Sequence, residues 1–273
     1  MPELPEVETV RCALKNRILN KTIKEINIVY PKVFEYPSVD EIKQKVINQT
    51  IIDMKRFGKW LIFELKDFYL LSHLRMEGKY LYRNIGDIIT KHELVSFTLD
   101  DMELRYQDVR RFGKFYLLNK DELYGDISPL TKLGKDPWDK TLDVNYLKEK
   151  YKNKKLEIKP CLLDQSIIVG IGNIYADEIL FLSKINPYKK SCELNDIELQ
   201  SIIDNTRIVL EKAIKEGGTT IRSYTSEEGV SGKFQNSLYV HSREKEKCRV
   251  CNDIILREKL HGRSTYYCPT CQK

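Results

Sequence analysis

The sequence predicts an α+β protein organised in two parts, and three observations carry that expectation. Apolar residues recur at helical spacing over residues 3–19. They give way to short runs rich in Ile, Val, Tyr and Phe that last until about Asn119, and beyond residues 130–150 the periodicity is helical again. At 273 residues, 41% hydrophobic and 32% charged, the chain is long enough for real cores and too apolar to be disordered.

The first element is ELPEVETVRCALKNRIL. Leu4, Val7, Val10 or Arg11, Leu14 and Ile18 fall near helical spacing, and Glu3 and Glu6 lie in the first turn, where carboxylates favour the helix dipole. An amphipathic helix therefore starts almost at the terminus. The runs IKEINIVY, KWLIFEL, YLLSHLRM, ELVSFTL and KFYLLN, separated by Gly, Asp and Asn, predict an antiparallel β-sandwich. DVNYLKEKY, KPCLLDQSIIVG, NIYADEILFLSKI and DIELQSIIDNTRIVLEKAIKEG predict the later helices. GGTTIRSYTSEEGVSGKFQ, poor in large apolar residues, predicts a mobile loop. The expected domains are 1–135, 136–225 and 226–273.

Lys and Arg outnumber Asp and Glu by 46 to 40, a net +6 that permits a nucleic-acid partner without requiring one. No apolar run reaches the roughly 18 residues of a membrane span, and the start of the chain lacks a basic region followed by an apolar stretch. The expectation is a cytoplasmic protein with no membrane partner.

Of seven cysteines, Cys12, Cys161 and Cys192 stand singly and read as small apolar residues, and the odd total argues against a disulfide framework. Cys248-x₂-Cys251 and Cys268-x₂-Cys271 are different. Two such knuckles separated by sixteen residues can offer four thiolates to a tetrahedral metal, and a closed four-cysteine shell is a structural zinc site. The sequence between the knuckles predicts a hairpin with Gly262-Arg263 at its turn, so that Arg263 projects from a rigid tip.

Residues 147–160 carry six lysines against two glutamates, a pattern that a solvated face explains by itself. The GIGN turn in SIIVGIGNIYADE can present backbone N–H groups and Asn173 to a phosphate, although close helix packing explains two glycines equally well. In SHLRMEG and DVRRFGK, Met76 and Phe112 stand beside Arg75, Arg110 and Arg111 just before a glycine. Core packing is the ordinary role of such residues, but an enzyme that extrudes a base from duplex DNA needs apolar wedges backed by arginine.

MPELPEVET at the N-terminus, RFGKWLIFEL, SHLRMEGK, RRFGK, IKPCLLDQSIIVGIGNIYADE, GGTTIRSY and CRVC…GRSTYYCPTCQK together resemble the bacterial formamidopyrimidine-DNA glycosylases, in order and over the whole chain. The resemblance implies an N-terminal helix plus antiparallel β-sandwich domain, then a helix–two-turn–helix domain with a C-terminal β-hairpin zinc finger holding one zinc ion. It implies a monomer that binds double-stranded DNA containing oxidised bases or abasic sites in a cleft between domains. It further implies removal of oxidised purines such as 8-oxoguanine and formamidopyrimidines, followed by β,δ-elimination at the abasic site.

The crowded first residues then acquire a purpose. Removal of Met1 would leave Pro2 with a free secondary amine able to condense with a sugar carbon as a Schiff base. By motif position, the resemblance assigns Pro2 as nucleophile, Glu3 as proton donor and acceptor, Glu6 as support, Lys59 as catalytic lysine and Arg263 as the residue gripping phosphates and assisting strand cleavage. His73, His92, Lys154 and Asn173 match DNA-contacting positions. Met76, Arg110 and Phe112 match the trio that fills the gap and engages the orphaned cytosine. Cys248, Cys251, Cys268 and Cys271 match the zinc ligands. Two departures stand out: DVRRF where many relatives have DPRRF, and His241 where tyrosine is common. Two alternatives remain open, a sister endonuclease VIII-like enzyme for oxidised pyrimidines and a non-catalytic zinc-dependent DNA-binding protein. Preference among purine lesions is expected to reside in the loop at 217–237.

Overall fold

A computed structural model describes residues 1–219 and 232–273. Residues 220–231, which hold most of the expected mobile loop and of the segment expected to set lesion preference, lie outside the described residues. The chain divides into two compact units: Met1–Pro2 with Glu6–Thr131 and Thr219–Gly232, and Glu3–Pro5 with Lys132–Gly218 and Lys233–Lys273.

The first unit joins helix α1 (Leu4–Ile18), which enters it at Glu6, to two sheets. One is ordered β1-β7-β8-β6, from β1 (Glu25–Ile28), β6 (Lys79–Arg83), β7 (Glu93–Thr98) and β8 (Glu103–Gln107). The other is ordered β2-β9-β5-β4-β3, from β2 (Phe34–Tyr36), β3 (Ile51–Phe57), β4 (Trp60–Leu65), β5 (Phe68–His73) and β9 (Lys114–Asn119). Val7, Val10, Leu14 and Ile18 of α1 share one buried core with Leu61, Phe63 and Leu117 of the second sheet and Val95, Phe97 and Leu104 of the first. Two features correct the expectation. The three-residue edge strand β2 runs parallel to β9, so the sandwich is not purely antiparallel. Helix α2 (Val39–Val46) interrupts the strands, with Ser38 as its cap: the hydroxyl accepts from the Glu41 N–H at 3.4 Å, and Ile42 and Val46 are buried.

The second unit contains α3 (Val144–Tyr151), α4 (Ile158–Leu163), α5 (Asn173–Leu182), α6 (Asp196–Lys215) and the hairpin β10 (Leu256–Leu260) and β11 (Arg263–Tyr267). Asp143 caps α3 by accepting from Tyr146 N at 2.8 Å, and Asn195 with Glu198 forms a capping box on α6. Leu147, Tyr151, Leu162, Ile179, Ile202 and Leu210 pack into its core. The segment KPCLLDQSIIVG is helical only to Leu163. There the Asp164 carboxylate captures the N–H and hydroxyl of Ser166 at 2.9 and 2.6 Å, and the Gln165 amide bonds Leu163 O, Gly170 N and Ile171 O. These side chains take over the groups that a continuing helix would pair. Among the described residues no helix is long and apolar enough to cross a membrane.

Candidate active site

Residue 3 is held by the loop that precedes α5. Leu4 N donates to Gly170 O at 3.0 Å, and the Glu3 carboxylate accepts from Ile174 N at 3.1 Å and Tyr175 N at 3.4 Å. Those amides lie in the first turn of α5, whose N–H groups point out of the helix and where the helix dipole favours an anion. Gly172 makes the approach possible, since a Cβ there would lie 2.2 Å from the Glu3 carboxyl carbon. Gly170 has φ +94° and packs on Leu4, where a Cβ would meet Cδ1 at 2.4 Å. The glycines of GIGN thus seat the protein's own N-terminus, and the two amides just beyond the turn are bound to Glu3. Pro2 is buried.

In the first unit, Glu6 is buried and accepts from the Thr219 N–H at 2.9 Å and its hydroxyl at 3.2 Å. Lys59 occupies the two-residue turn between β3 and β4 with Gly58 at φ +56°, and is itself buried. His73 ends β5, its ring edge-on to Trp60 at 4.8 Å, and its Nδ1 accepts from Arg75 N at 3.0 Å. Burial, aided by the Arg75 and Lys59 charges, lowers the His73 pKa to about 3, so the imidazole is neutral at physiological pH. Met76 and Phe112 are 37% and 47% exposed, which excludes both from the core. The Arg110 guanidinium lies over the Phe112 ring, 4.7 Å from its centroid. His92 is half-buried, and its Nδ1 has no hydrogen-bond partner among the described residues.

In the second unit, Arg263 is exposed as the first residue of β11, opposite Leu260. The turn itself is His261-Gly262, at φ +45° and +78°. Two positive angles are the mark of a type I′ hairpin, so the turn falls one residue earlier than expected and Arg263 opens the return strand. Lys154 pairs with Asp164 at 2.8 Å, with both side chains about a third exposed, an interaction worth little to stability. Asn173 donates from Nδ2 to Ser264 O at 3.0 Å.

Sequence reasoning missed the groups behind Arg263. Lys159 is 1% exposed, pairs with Asp177 Oδ1 at 2.7 Å, and donates to Ser264 O at 2.8 Å and Thr265 Oγ1 at 3.0 Å. Asp177 Oδ2 also meets His241 Nδ1 at 2.7 Å, and the His241 ring stands edge-on to Tyr266 at 4.8 Å. The histidine at the usual tyrosine position is therefore tied to a buried carboxylate. Burial lowers the Lys159 pKa from its ordinary value, opposed by Asp177. The available signal was a charge inside an otherwise apolar helix: Lys159 in IKPCLL and Asp177 in NIYADEILFL. Lys159→Met is expected to destabilise the second unit by about 3 kcal/mol, because it takes the ammonium away from the buried Asp177 Oδ1. Denaturant unfolding measures the loss.

The four Sγ atoms of Cys248, Cys251, Cys268 and Cys271 lie within 4.8 Å of one another, with Cys248 to Cys271 at 3.9 Å and Cys251 to Cys268 at 3.4 Å. A tetrahedral shell of Zn–S bonds of about 2.3 Å separates its sulfurs by about 3.8 Å, so the four thiolates fit one zinc ion with no open position. Phe181, Val240 and Ile255 pack beside them. The Glu178 carboxylate fastens the approach to the first knuckle by accepting from Tyr239, Val240 and His241 N–H at 2.7, 2.9 and 2.9 Å.

These parts define a zinc-finger protein whose N-terminal residues are built into its own folded units. Comparison with known proteins makes the assignment particular. Residues 1–115 match the formamidopyrimidine-DNA glycosylase N-terminal domain, 133–225 the H2TH domain of the same enzymes, and 245–273 a zinc finger found in FPG and IleRS. Formamidopyrimidine-DNA glycosylase of Oceanobacillus iheyensis is 46% identical over 274 residues, covering 100% of this chain and 98% of that protein. The Mycoplasma genitalium enzyme is 42% identical, covering 100% and 96%. Lactococcus lactis Fpg, as a mutant in complex with DNA containing Fapy-dG, superposes with a TM-score of 0.92 at 39% identity, covering 100% of both chains. Its complex with DNA containing an abasic site gives 0.91 at 39% identity, covering 99% of each. The chain belongs to the formamidopyrimidine-DNA glycosylase family.

Proposed function

We propose that the protein is a base-excision repair enzyme that removes oxidised purines from duplex DNA and then cleaves the strand at the abasic site. The observation that carries the reading is the seating of Glu3 on the first turn of α5, which fixes a carboxylate one residue from the Pro2 amine. With Met1 removed, that amine attacks C1′ of the damaged nucleotide, the glycosidic bond breaks and its electron pair leaves with the base. Glu3 protonates the opening sugar, and the amine becomes an iminium at C1′. The Glu3 carboxylate then takes a proton from C2′, so that the 3′ phosphate leaves by β-elimination, and loss of a second sugar proton, from C4′, expels the 5′ phosphate by δ-elimination. Water returns the free amine.

Glu6 supports the terminus through its bonds to Thr219. Lys59 is assigned to the catalytic group, and Arg263 grips the phosphates that leave. His73, His92, Lys154 and Asn173 are assigned to the DNA backbone, with the neutral, buried His73 acting chiefly as an anchor for the turn bearing Met76. Zinc at the four cysteines supplies structure, taking no part in the chemistry. The functional parts are 1–135 for catalysis, 136–225 for DNA binding and 226–273 for the finger. Action on chromosomal DNA as a monomer in the cytoplasm completes the reading.

Incubation with a duplex carrying 8-oxoguanine opposite cytosine, with and without borohydride, tests substrate and mechanism together. Strand cleavage and a covalent adduct are expected; intact DNA in both arms refutes the reading. The wedge assignment has its own measurement. Phe112→Ala is expected to keep the melting temperature, because burying a phenylalanine is worth about 3–5 kcal/mol whereas this ring is half exposed, and to slow excision from paired DNA. A large drop in melting temperature with normal excision would return Phe112 to the core.

A further inference from the structure

Outside the proposed catalytic groups, Asp108 is a carboxylate of the first unit that is bound chiefly by main-chain amides. It is fully buried at the end of β8. Its Oδ1 accepts from Arg110 N at 3.0 Å, and its Oδ2 accepts from Phe112 N and Gly113 N, each at 2.8 Å. Its own N–H donates to His92 O at 3.0 Å, and its carbonyl accepts from Arg111 N at 3.3 Å. Arg111 within this loop has φ +58°, a left-handed conformation that costs a non-glycine residue about 1–2 kcal/mol and persists only where the surroundings over-determine it.

The Tyr106 hydroxyl, also fully buried, approaches the same Oδ2 at 3.4 Å. Two glycines close on that hydroxyl. A Cβ at Gly113 would lie 1.8 Å from it and a Cβ at Gly78 would lie 2.2 Å from it. Gly113 ends the loop bearing Arg110 and Phe112, and Gly78 ends the turn bearing Met76, whose neighbour Arg75 is likewise left-handed at φ +55°. Burial beside Asp108 raises the Tyr106 pKa, so the hydroxyl keeps its proton and remains a donor. Phe115 and Tyr80 hold the ring edge-on at 4.9 and 5.4 Å.

We propose that Asp108 and Tyr106 form a buried post that sets the Met76 turn and the Arg110–Phe112 loop in register with each other, and so act as positioning residues for base extrusion. The inference rests on the reading of Met76, Arg110 and Phe112 as the wedge. Neither residue of the post touches DNA; each works through backbone amides and through the space it denies to a Cβ. Two isolated connections, each with one left-handed arginine, would sample many conformers, and an apolar wedge lowers the cost of unstacking only if it already points at the gap when the base leaves.

The test uses single-turnover rates of the full-length enzyme on two duplexes, one with 8-oxoguanine paired to cytosine and one with a preformed abasic site that has no base to unstack. Asp108→Asn keeps the shape and removes one acceptor; it is expected to lower the ratio of the first rate to the second by about tenfold. Tyr106→Phe keeps the ring and should lower the ratio by about threefold. Asp108→Asn combined with Phe112→Ala should be no slower on paired lesion than Phe112→Ala alone, since one acts through the other. Equal loss on both duplexes, or losses that multiply in the double variant, would overturn the positioning role while leaving the wedge intact. If Phe112→Ala excises the paired lesion at the unaltered rate, the wedge reading itself fails. Should Asp108→Asn not fold, Tyr106→Phe decides alone, and an unchanged ratio there overturns the proposal.

Discussion

Protein that retains Met1, or carries any residue ahead of Pro2, is expected to give no borohydride-trapped adduct with damaged DNA, a loss of about a thousandfold or more. In a peptide bond the proline nitrogen shares its lone pair with the carbonyl and cannot form an imine. The free α-amine has a reference pKa of about 7.7–8.0 against about 10.4 for lysine, so a far larger share is neutral at physiological pH. The bonds that seat residues 3 and 4 come from the Glu3 carboxylate and the Leu4 amide, and none of them needs the terminus free. Binding to the same duplex should accordingly fall much less than adduct formation. The measurement is adduct yield beside affinity on one blocked preparation. An undiminished yield would move the nucleophile to a lysine side chain, with Lys59 the first to examine.

Loss of the metal is expected to have the next largest effect. Structural zinc held by four thiolates contributes roughly 10–16 kcal/mol in isolated fingers at neutral pH. The cluster beside the four cysteines has only a few apolar members, among them Phe181, Val240 and Ile255, too few to hold so short a segment unaided. Cys268→Ser should therefore release the hairpin, leave Arg263 without a fixed strand and weaken DNA binding by about a hundredfold. The first unit has its own core of α1 and two sheets, and its melting transition should persist. One zinc per chain by elemental analysis, followed by affinity and thermal unfolding of the variant, checks each part. Full affinity in a zinc-free, correctly folded preparation would remove the metal from the DNA-binding role.

Much of this molecule was legible because its signals are local. Helix α1, most strands and the two cysteine knuckles follow from short-range periodicity and spacing, and α6 announces itself through Asn195 and Glu198. Helix α2 carried a comparable signal in Ser38-Val39-Asp40-Glu41, hidden among strand-like runs. The end of α4 at Leu163 depends on side chains of Asp164 and Gln165 that reach two to six residues onward, which no periodicity encodes. The candidate site was read residue by residue through resemblance, whereas its support was not. Glu3 meets amides at 174 and 175, and Lys159 meets Ser264 and Thr265; pairings across a hundred residues leave no pattern in one chain beyond an ill-placed charge.

The way Asp108 holds its loop also accounts for the chain's departure at residue 109, where valine replaces the proline common among relatives. The carboxylate binds the amides of residues 110, 112 and 113 and makes no demand on that of 109, whose side chain faces solvent at 55% exposure. Proline, which has no N–H, therefore forfeits no bond to this carboxylate at residue 109. Because the grip is on the main chain, the loop's shape is inherited separately from its surface chemistry. Substitutions at the solvent-facing positions can change the loop's surface without a new backbone having to evolve alongside them.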